Sequence, residues 1–208
     1  MANTTFKGTL RSEGGYSSIA TAAATGTETT QMSISSAGFT SLDANTLATE
    51  AGTGITGGTG TIYRSSVIRE GGIIKTSILI DLTGLRSTAN GDIIGVNGTS
   101  NVCHIGQITA ARNGTILAGR MTCFEAPAGG DPDINVHSAT EGTGVEDGAI
   151  ADLTETLLLN NGDATLGKVG IFEADPAADE FLYLTLGATT DADYTAGKLL
   201  IELFGYEA

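Results

Sequence analysis

The sequence predicts an all-β protein with little helix: a β-sandwich or jelly-roll-like domain preceded by an extended N-terminal arm. Short runs of apolar and β-branched residues recur along the chain, and Asn-Gly pairs separate several of them. Glycine supplies 30 of the 208 residues, whereas charged residues make up only 16% of the chain. This composition favours pleated sheet and tight turns over solvent-exposed helices.

Nine runs have the length and composition of strands. Asn-Gly is typical of tight turns between strands, and it occurs at 90–91, 97–98, 113–114 and 161–162. Many short strands with turn signals between them are typical of sandwiches and jelly rolls. The predicted strands are 61–68, 72–82, 92–96, 102–110, 115–124, 155–160, 168–173, 180–187 and 197–206.

Helical patterns are confined to two segments. Residues 41–51, SLDANTLATEA, predict one short helix with Ser41 as its N-cap. Residues 145–159 have an incomplete 3.6-residue period, and we expect this stretch to break at Gly148 and to finish as a strand. The stretch DPDINVHSATEG, residues 131–142, is predicted to be a loop.

The chain is predicted to have three parts. Residues 1–20 have no helical period and too few apolar residues to fold alone, which predicts an extended docking arm. Residues 21–60 are rich in Ala, Thr and Gly, as linkers and loops are, and are predicted to connect the arm to the rest. Residues 61–208 carry the strand-like runs and are predicted to form the β-sandwich domain.

Charge is distributed unevenly between the two halves of the chain. Residues 1–120 hold eight basic and seven acidic residues, a net charge of +1, whereas residues 121–208 hold two basic and seventeen acidic residues, a net charge of −15. The total of −14 argues against a nucleic-acid partner, and no apolar run is long enough to suggest a membrane span. One interpretation is an ordinary soluble acidic surface. The other is a near-neutral end that docks and an acidic end that faces water.

Candidate catalytic and ligand-binding residues are few. The match of GTGITG (52–57) to a dinucleotide-binding motif is interpreted as chance, because a polar stretch precedes it and a strand, not a helix, follows it. His104 lies in a predicted strand and His137 in a predicted loop, and both are interpreted as structural. Paired carboxylates such as Asp131 and Asp133 lack EF-hand spacing. The sequence therefore predicts neither an enzyme nor a metal or cofactor site.

The two cysteines flank the Asn-Gly pair at 113–114. A two-residue turn there places Cys103 opposite Phe124, whereas a three-residue turn over 112–114 places it opposite Cys123. We prefer the second register because it gathers the apolar residues on one face. Two thiols made in a cytoplasm are then expected to be buried, reduced neighbours in the core.

Three stretches carry a resemblance to a known family. The opening F-x-G-x-L-R-S-x-x-G-Y, residues 6–16, resembles the start of head decoration (cement) proteins of marine tailed bacteriophages. The central GGIIKTSILIDLTGLRSTANGDIIGV and the final AGKLLIELFGY are similar to the same group. Together these stretches lie at both ends and in the middle of the chain.

The resemblance implies a structural virion protein, assembled in the host cytoplasm, that binds the outer surface of an icosahedral capsid and stabilises it. The implied partner is the major capsid protein, and such proteins are often trimers. On this basis the arm is expected to carry the capsid-binding residues, because its glycines permit close approach and its apolar and basic side chains can anchor it. These residues are Phe6, Lys7, Gly8, Leu10, Arg11, Ser12 and Tyr16.

Two alternatives remain open from the sequence. A head fibre or tail-associated protein that contacts a host glycan would have the same β-rich character, although aromatic residues are scarce for such a role. A hydrolase with a dispersed catalytic triad would need one of the two histidines. Assays with generic ester and glycan substrates would identify the hydrolase.

Overall fold

The computed structural model of the chain describes residues 49–207 and three N-terminal strands, 16–21, 28–34 and 40–42. The chain divides into two compact units, Met1–Leu47 and Ala48–Ala208. The all-β prediction is confirmed. In the part of the chain that the structure describes, helix is limited to two four-residue turns, α1 (Thr53–Thr56) and α2 (Ala110–Asn113), and one 3-10 turn, Ile150–Asp152.

The N-terminal unit contains a small antiparallel sheet. Its strands are β1 (Tyr16–Thr21), β2 (Glu28–Ile34) and β3 (Thr40–Leu42), in the order β1-β2-β3. Ser41, the predicted helix cap, instead pairs with Ser33 of β2, because short polar and β-branched residues accept a strand when a partner is available. Thr49 and Glu50, at the other end of the predicted helix, are not helical, and residues 43–48 lie outside the described residues.

The second unit is built from two antiparallel sheets and one two-stranded ribbon. The five-stranded sheet has the order β11-β8-β14-β5-β4, the four-stranded sheet has the order β10-β9-β12-β7, and β13 pairs with β6. The strands are β4 (Ile62–Glu70), β5 (Ile73–Asp81), β6 (Arg86–Ser87), β7 (Gly106–Gln107), β8 (Thr115–Ala128), β9 (Ile134–Ala139), β10 (Glu155–Leu159), β11 (Val169–Ile171), β12 (Phe181–Leu186), β13 (Ala192–Asp193) and β14 (Ala196–Tyr206).

A tight hairpin sets the register of β4 and β5. Glu70 pairs with Ile73, which leaves Gly71 and Gly72 as the two turn residues. Both have positive φ, 57° and 90°, which is the requirement of the two-residue turn whose twist matches that of the strands. The hairpin places alternate residues of β5 on opposite faces, so that Ile74, Thr76 and Ile78 point inward.

The two sheets share one buried apolar cluster. Alternate residues of β5, β14 and β8 enter it from the five-stranded sheet, and residues of β9 and β12 enter it from the four-stranded sheet. Tyr183 and Tyr194 are fully buried, and each hydroxyl donates to a backbone carbonyl, that of Glu141 and that of Asp131 respectively. Burying an aromatic ring is tolerable here because its polar end is satisfied.

Two predicted strands are not formed as such. In residues 92–96 there are only isolated bridges, and in residues 102–110 only β7 is a strand. Cys103 and Ile105 are buried as expected. The amides of each run are divided between β12 and other segments, since Ile105 donates to Leu182 of β12 but Cys103 donates to Gly144, so that no regular ladder forms.

The predicted hairpin at 113–114 is wrong. Helix α2 ends at Asn113, and Gly114, with a φ of 68°, leads from the four-stranded sheet into β8 of the other sheet. The Asn113 side chain is buried, where it accepts from the amide of Thr109 and donates to the hydroxyl of Thr76. Asn113 therefore stabilises a connection between sheets, not a turn within one.

The prediction of a loop over 131–142 is also wrong, because residues Ile134–Ala139 form β9. This strand lies between β10 and β12 in the four-stranded sheet, and pairing on both sides outweighs the turn-forming residues that flank it. The prediction for 145–159 is confirmed at its end: after a single 3-10 turn the chain continues as β10.

Both cysteines are buried and neither is bonded, but they are not cross-strand partners. Cys123 of β8 pairs with Leu199 of β14, whereas Cys103 lies in the irregular segment before β7. Burial raises the pKa of the Cys103 thiol to about 12, and burial also raises the pKa of Cys123.

We expect both thiols to resist alkylation in the native protein. Thiolate is the reactive form, and two buried thiols of raised pKa hold almost none of it at pH 8. Iodoacetamide followed by intact-mass measurement should show no adduct on the folded protein and two adducts after unfolding in urea. Rapid labelling of either thiol before unfolding would contradict the burial of that side chain.

Residues 49–60, which the sequence places in the connector, pack within the β domain. The amides of Gly52 and Gly54 donate to the carbonyls of His104 and Val102, both at 2.8 Å. A side chain at either glycine would collide with this segment, since a Cβ on Gly54 would lie 2.3 Å from the Cys103 sulfur. The glycines of the GTGITG match are therefore explained by close packing.

Candidate functional site

The predicted capsid-binding residues lie almost entirely outside the described residues. This holds for Phe6, Lys7, Gly8, Leu10, Arg11 and Ser12. Tyr16 is the first residue of β1, where it pairs with Ile34 of β2.

The outward-facing side of the five-stranded sheet is the most distinctive surface of this domain, and we call it the outer face. Residues directly opposite each other on paired strands share a face, so the register defines its members. They are Ile62, Arg64, Ser66, Ile68 and Glu70 of β4, Ile73, Lys75, Ser77, Leu79 and Asp81 of β5, Thr115, Leu117, Ala118, Arg120, Thr122, Phe124 and Glu125 of β8, Val169 and Ile171 of β11, and Lys198, Leu200, Glu202, Phe204 and Tyr206 of β14.

Exposed apolar side chains are concentrated on the outer face. Of the ten large apolar residues that are exposed in the described chain, eight belong to it, and the other two are Leu157 and Leu166. Leu117 and Phe124 have no partner on β14, because each sits at a register shift between β8 and β14. Such bulges turn an extra side chain towards one face, and here both extra side chains are apolar and more than half exposed.

The centre of the outer face holds a buried carboxylate between two cations. Glu202 is 3% exposed. One of its oxygens accepts from Nε of Arg120 at 2.6 Å, and the other forms an ion pair with Lys75. The ring of Phe204 lies beneath both cations, 5.7 Å from the Arg120 guanidinium carbon and 6.0 Å from the Lys75 nitrogen.

The two cations determine the ionisation of Glu202. Burial by itself would raise the pKa of this carboxyl, but the hydrogen bonds and charges of Lys75 and Arg120 outweigh it and hold the pKa below the ordinary value. A second group, Lys198 between Asp81 and Glu125, lies near one end of the face. The pKa of Asp81 is also lowered, because hydrogen bonds from Thr83 and Lys198 outweigh its burial.

These charges leave the outer face electrically neutral. It carries four cations, Arg64, Lys75, Arg120 and Lys198, and four carboxylates, Glu70, Asp81, Glu125 and Glu202. The whole chain has a net charge of −14, so that the excess negative charge lies elsewhere. A neutral face with exposed apolar residues on a strongly acidic chain is typical of a surface that contacts another protein.

The charge asymmetry of the sequence does not produce two separate ends. The five-stranded sheet combines β4 and β5 from the near-neutral half with β11 and β14 from the acidic half, because antiparallel pairing brings distant segments side by side. The expectation that carboxylates of the acidic half face solvent holds for most of them. Of those seventeen, ten are exposed and only Asp131, Glu146 and Glu202 are buried.

Stability should fall at acid pH because of the outer-face carboxylates. A carboxyl whose pKa is lower in the folded than in the unfolded protein stabilises above the unfolded value, and this contribution is lost as pH falls through the folded value. For Glu202 and Asp81 the loss should occur below about pH 4. Urea unfolding between pH 3 and pH 8 measures it, and the Glu202→Gln variant should show a shallower decline.

Two other carboxyls should change the pH dependence of stability in the opposite direction. Burial, with the neighbouring Asp131 and Asp163 charges, raises the pKa of Asp133, and burial also raises the pKa of Glu146. Their protonation relieves an unfavourable charge, so that stability should rise as pH falls through their raised values. We therefore expect maximal stability at mildly acid pH. A maximum above pH 7 would contradict this assignment.

The histidines have structural surroundings. The His104 ring packs on Phe181, with centroids 5.0 Å apart, and burial lowers its pKa so that the neutral form is favoured. His137 lies in β9, not in a loop, and its Nδ1 is 2.9 Å from a carboxylate oxygen of Glu155 on β10. In the described part of the chain, neither ring is hydrogen-bonded to a serine, threonine or cysteine, as a nucleophile-activating histidine would be.

Over residues 49–207 and the N-terminal strands, no cluster of His, Cys, Asp and Glu has the arrangement of a metal site, and none of the helices has the length and apolar character to cross a membrane. Comparison of the chain with protein-family models, with curated proteins and with solved structures found no match.

Proposed function

We propose that this chain is a structural virion protein that binds the outer surface of an icosahedral phage capsid and stabilises it. Its partner is the major capsid protein, it acts as a homotrimer, and it belongs to the surface of the assembled particle. The observation that carries the proposal is that exposed apolar area is gathered on one broad, neutral sheet face instead of in a cleft. Broad faces of this kind bind protein surfaces, whereas small substrates are bound in concave pockets.

The paired charges of the outer face also favour a protein contact. Glu202 forms ion pairs with both Lys75 and Arg120 within the chain, so that covering this group does not leave the carboxylate without a partner. Burial of an unpaired charge is strongly unfavourable, whereas burial of a satisfied group is tolerated. The buried carboxylate at the centre of the face therefore does not oppose contact with a neighbour.

Docking to the shell itself is assigned to the arm. If the arm binds in an extended conformation, Phe6, Gly8 and Leu10 would fall on one side of it, and Lys7 and Arg11 on the other. One side can thus pack in an apolar groove of the shell while the cations meet shell carboxylates. Addition of the arm to the edge of a capsid sheet would satisfy both requirements.

Co-sedimentation tests the proposal. Capsids assembled from the major capsid protein of the same phage are mixed with the purified chain and pelleted. We expect binding that saturates at a fixed number of chains per shell subunit, and a shell that withstands a higher temperature. Protein that stays in the supernatant at every concentration would overturn the proposal, and pelleting with host cells in the absence of capsids would indicate a glycan-binding fibre instead.

A further inference from the structure

We propose that the outer face is where copies of this chain bind one another, in a closed ring that joins two different margins of the face. The first margin is the β4–β5 side, with Ile62, Ile68 and Ile73. The second is the β8–β11 side, with Leu117, Phe124, Val169 and Ile171. The inference rests on the homotrimer of the proposed function and names the surfaces that form it.

The two margins are distinct patches with a charged centre between them. Strand β14 separates them, and β4 and β11 lie four strand spacings apart, about 19 Å. A ring needs two different patches on each copy, one for the preceding neighbour and one for the next. A sheet face with one apolar margin on each side of a central ion-paired group provides this arrangement.

The charges make a second copy the fitting occupant. Two chains of net charge −14 repel each other over most of their surface. The outer face is neutral, and its central charges are paired within the chain, so it can approach another copy without that repulsion. The eight exposed apolar residues present on the order of 700 Å² in all, which a ring divides between two neighbours, so that apolar side chains supply less than half of the roughly 800 Å² that each partner contributes to a stable interface.

Charge complementarity links the two margins. Arg64 lies on the first margin, and Glu173 follows β11 at the end of the second. Both side chains are exposed, and within the described chain neither has an ion-pair partner. In a ring, Arg64 of one copy and Glu173 of the next are brought to the same interface.

A face-to-face dimer is disfavoured by the centre of the face. A two-fold axis through the sheet would place Lys75 and Arg120 against the same residues of the second copy. With Glu202 this group has a net charge of +1, so two such groups repel each other across the axis. When the first margin of one copy packs on the second margin of the next, the two charged centres stay apart.

Cysteine cross-linking tests the geometry. Ile68→Cys and Ile171→Cys are made singly and together and treated with a short bismaleimide, since native Cys103 and Cys123 are buried. In the ring, the double variant forms covalent trimers while each single variant stays monomeric on a denaturing gel. Covalent dimers from a single variant would indicate face-to-face pairing and overturn the inference. No cross-linking of the double variant would overturn it as well.

Substitution of a charged residue into the second margin tests the same interface in solution. Ile171→Glu should raise the concentration at which trimers dissociate at least tenfold, about 1.4 kcal/mol, in sedimentation equilibrium. Leu157→Glu, an exposed apolar residue on the edge strand of the other sheet, is the matched control and should have no effect. Wild-type chain that remains monomeric up to about 100 μM overturns the inference. Capsid co-sedimentation is measured separately, so that failure of the ring is distinguished from failure of the proposed function.

Discussion

Removal of residues 1–15 should lower binding to undecorated capsids at least tenfold and leave the melting temperature of the β domain unchanged. Phe6 and Leu10 each contribute about 1.5–3 kcal/mol if buried in a shell groove, and a tenfold loss needs only about 1.4 kcal/mol. The cut stops before Tyr16, so that the β1–β2–β3 sheet keeps all of its strands. Titration of capsids with labelled protein measures the affinity, and circular dichroism measures the melting temperature.

Point variants test whether particular side chains of the arm, and not merely its presence, are needed for capsid binding. Phe6→Ala and Arg11→Ala should each weaken binding, because one removes an apolar anchor and the other a cation. Asn3→Ala lies outside the proposed anchoring set and is the control. If the truncated protein decorates capsids as well as the full chain, docking belongs to the β domain and the assignment of the arm is wrong.

Replacement of Glu202 by Gln should lower the free energy of unfolding by about 1–3 kcal/mol. The carboxylate is almost fully buried, and its replacement leaves Lys75 and Arg120 without their counter-charge. Loss of one partner from a fully buried pair costs about 3–5 kcal/mol. Here both cations are more than a third exposed, and water compensates for part of the loss. Urea unfolding at pH 7 measures the difference.

Glu207→Gln is the matched control for this prediction. Glu207 also pairs with an arginine, Arg69, but both side chains are largely exposed, and exposed pairs contribute about 0–1 kcal/mol. The two variants remove the same charge and differ in burial. Equal effects of the two substitutions would contradict the conclusion that the buried pair organises the centre of the outer face.

Local pattern in the sequence predicted the fold class and most strands of the five-stranded sheet. The alternation in GIIKTSILI places Ile74, Thr76 and Ile78 on one face, and this is the face that the structure buries. Local pattern failed where tertiary pairing decides the outcome. Residues 134–139 form a central strand although turn-forming residues flank them, and Asn113-Gly114 joins two sheets instead of closing a hairpin.

The outer face could not be predicted residue by residue. Glu202 meets Lys75 and Arg120 only because β14 is paired with β5 on one side and with β8 on the other. The three residues are far apart in the sequence, and nothing local to any of them indicates the others. The strands GIIKTSILI and GKLLIELFGY are interior strands, paired on both sides, and contribute outward apolar residues to the outer face.

Electron cryomicroscopy of capsids with and without this protein tests the central claim most directly. The account predicts difference density on the outside of the shell, at positions that repeat with the icosahedral lattice and form three-fold clusters of β domains. Within each cluster the outer faces should be turned towards neighbouring copies, and a thin connection should reach the shell. Identical maps with and without the protein, or density confined to the tail, would contradict the account.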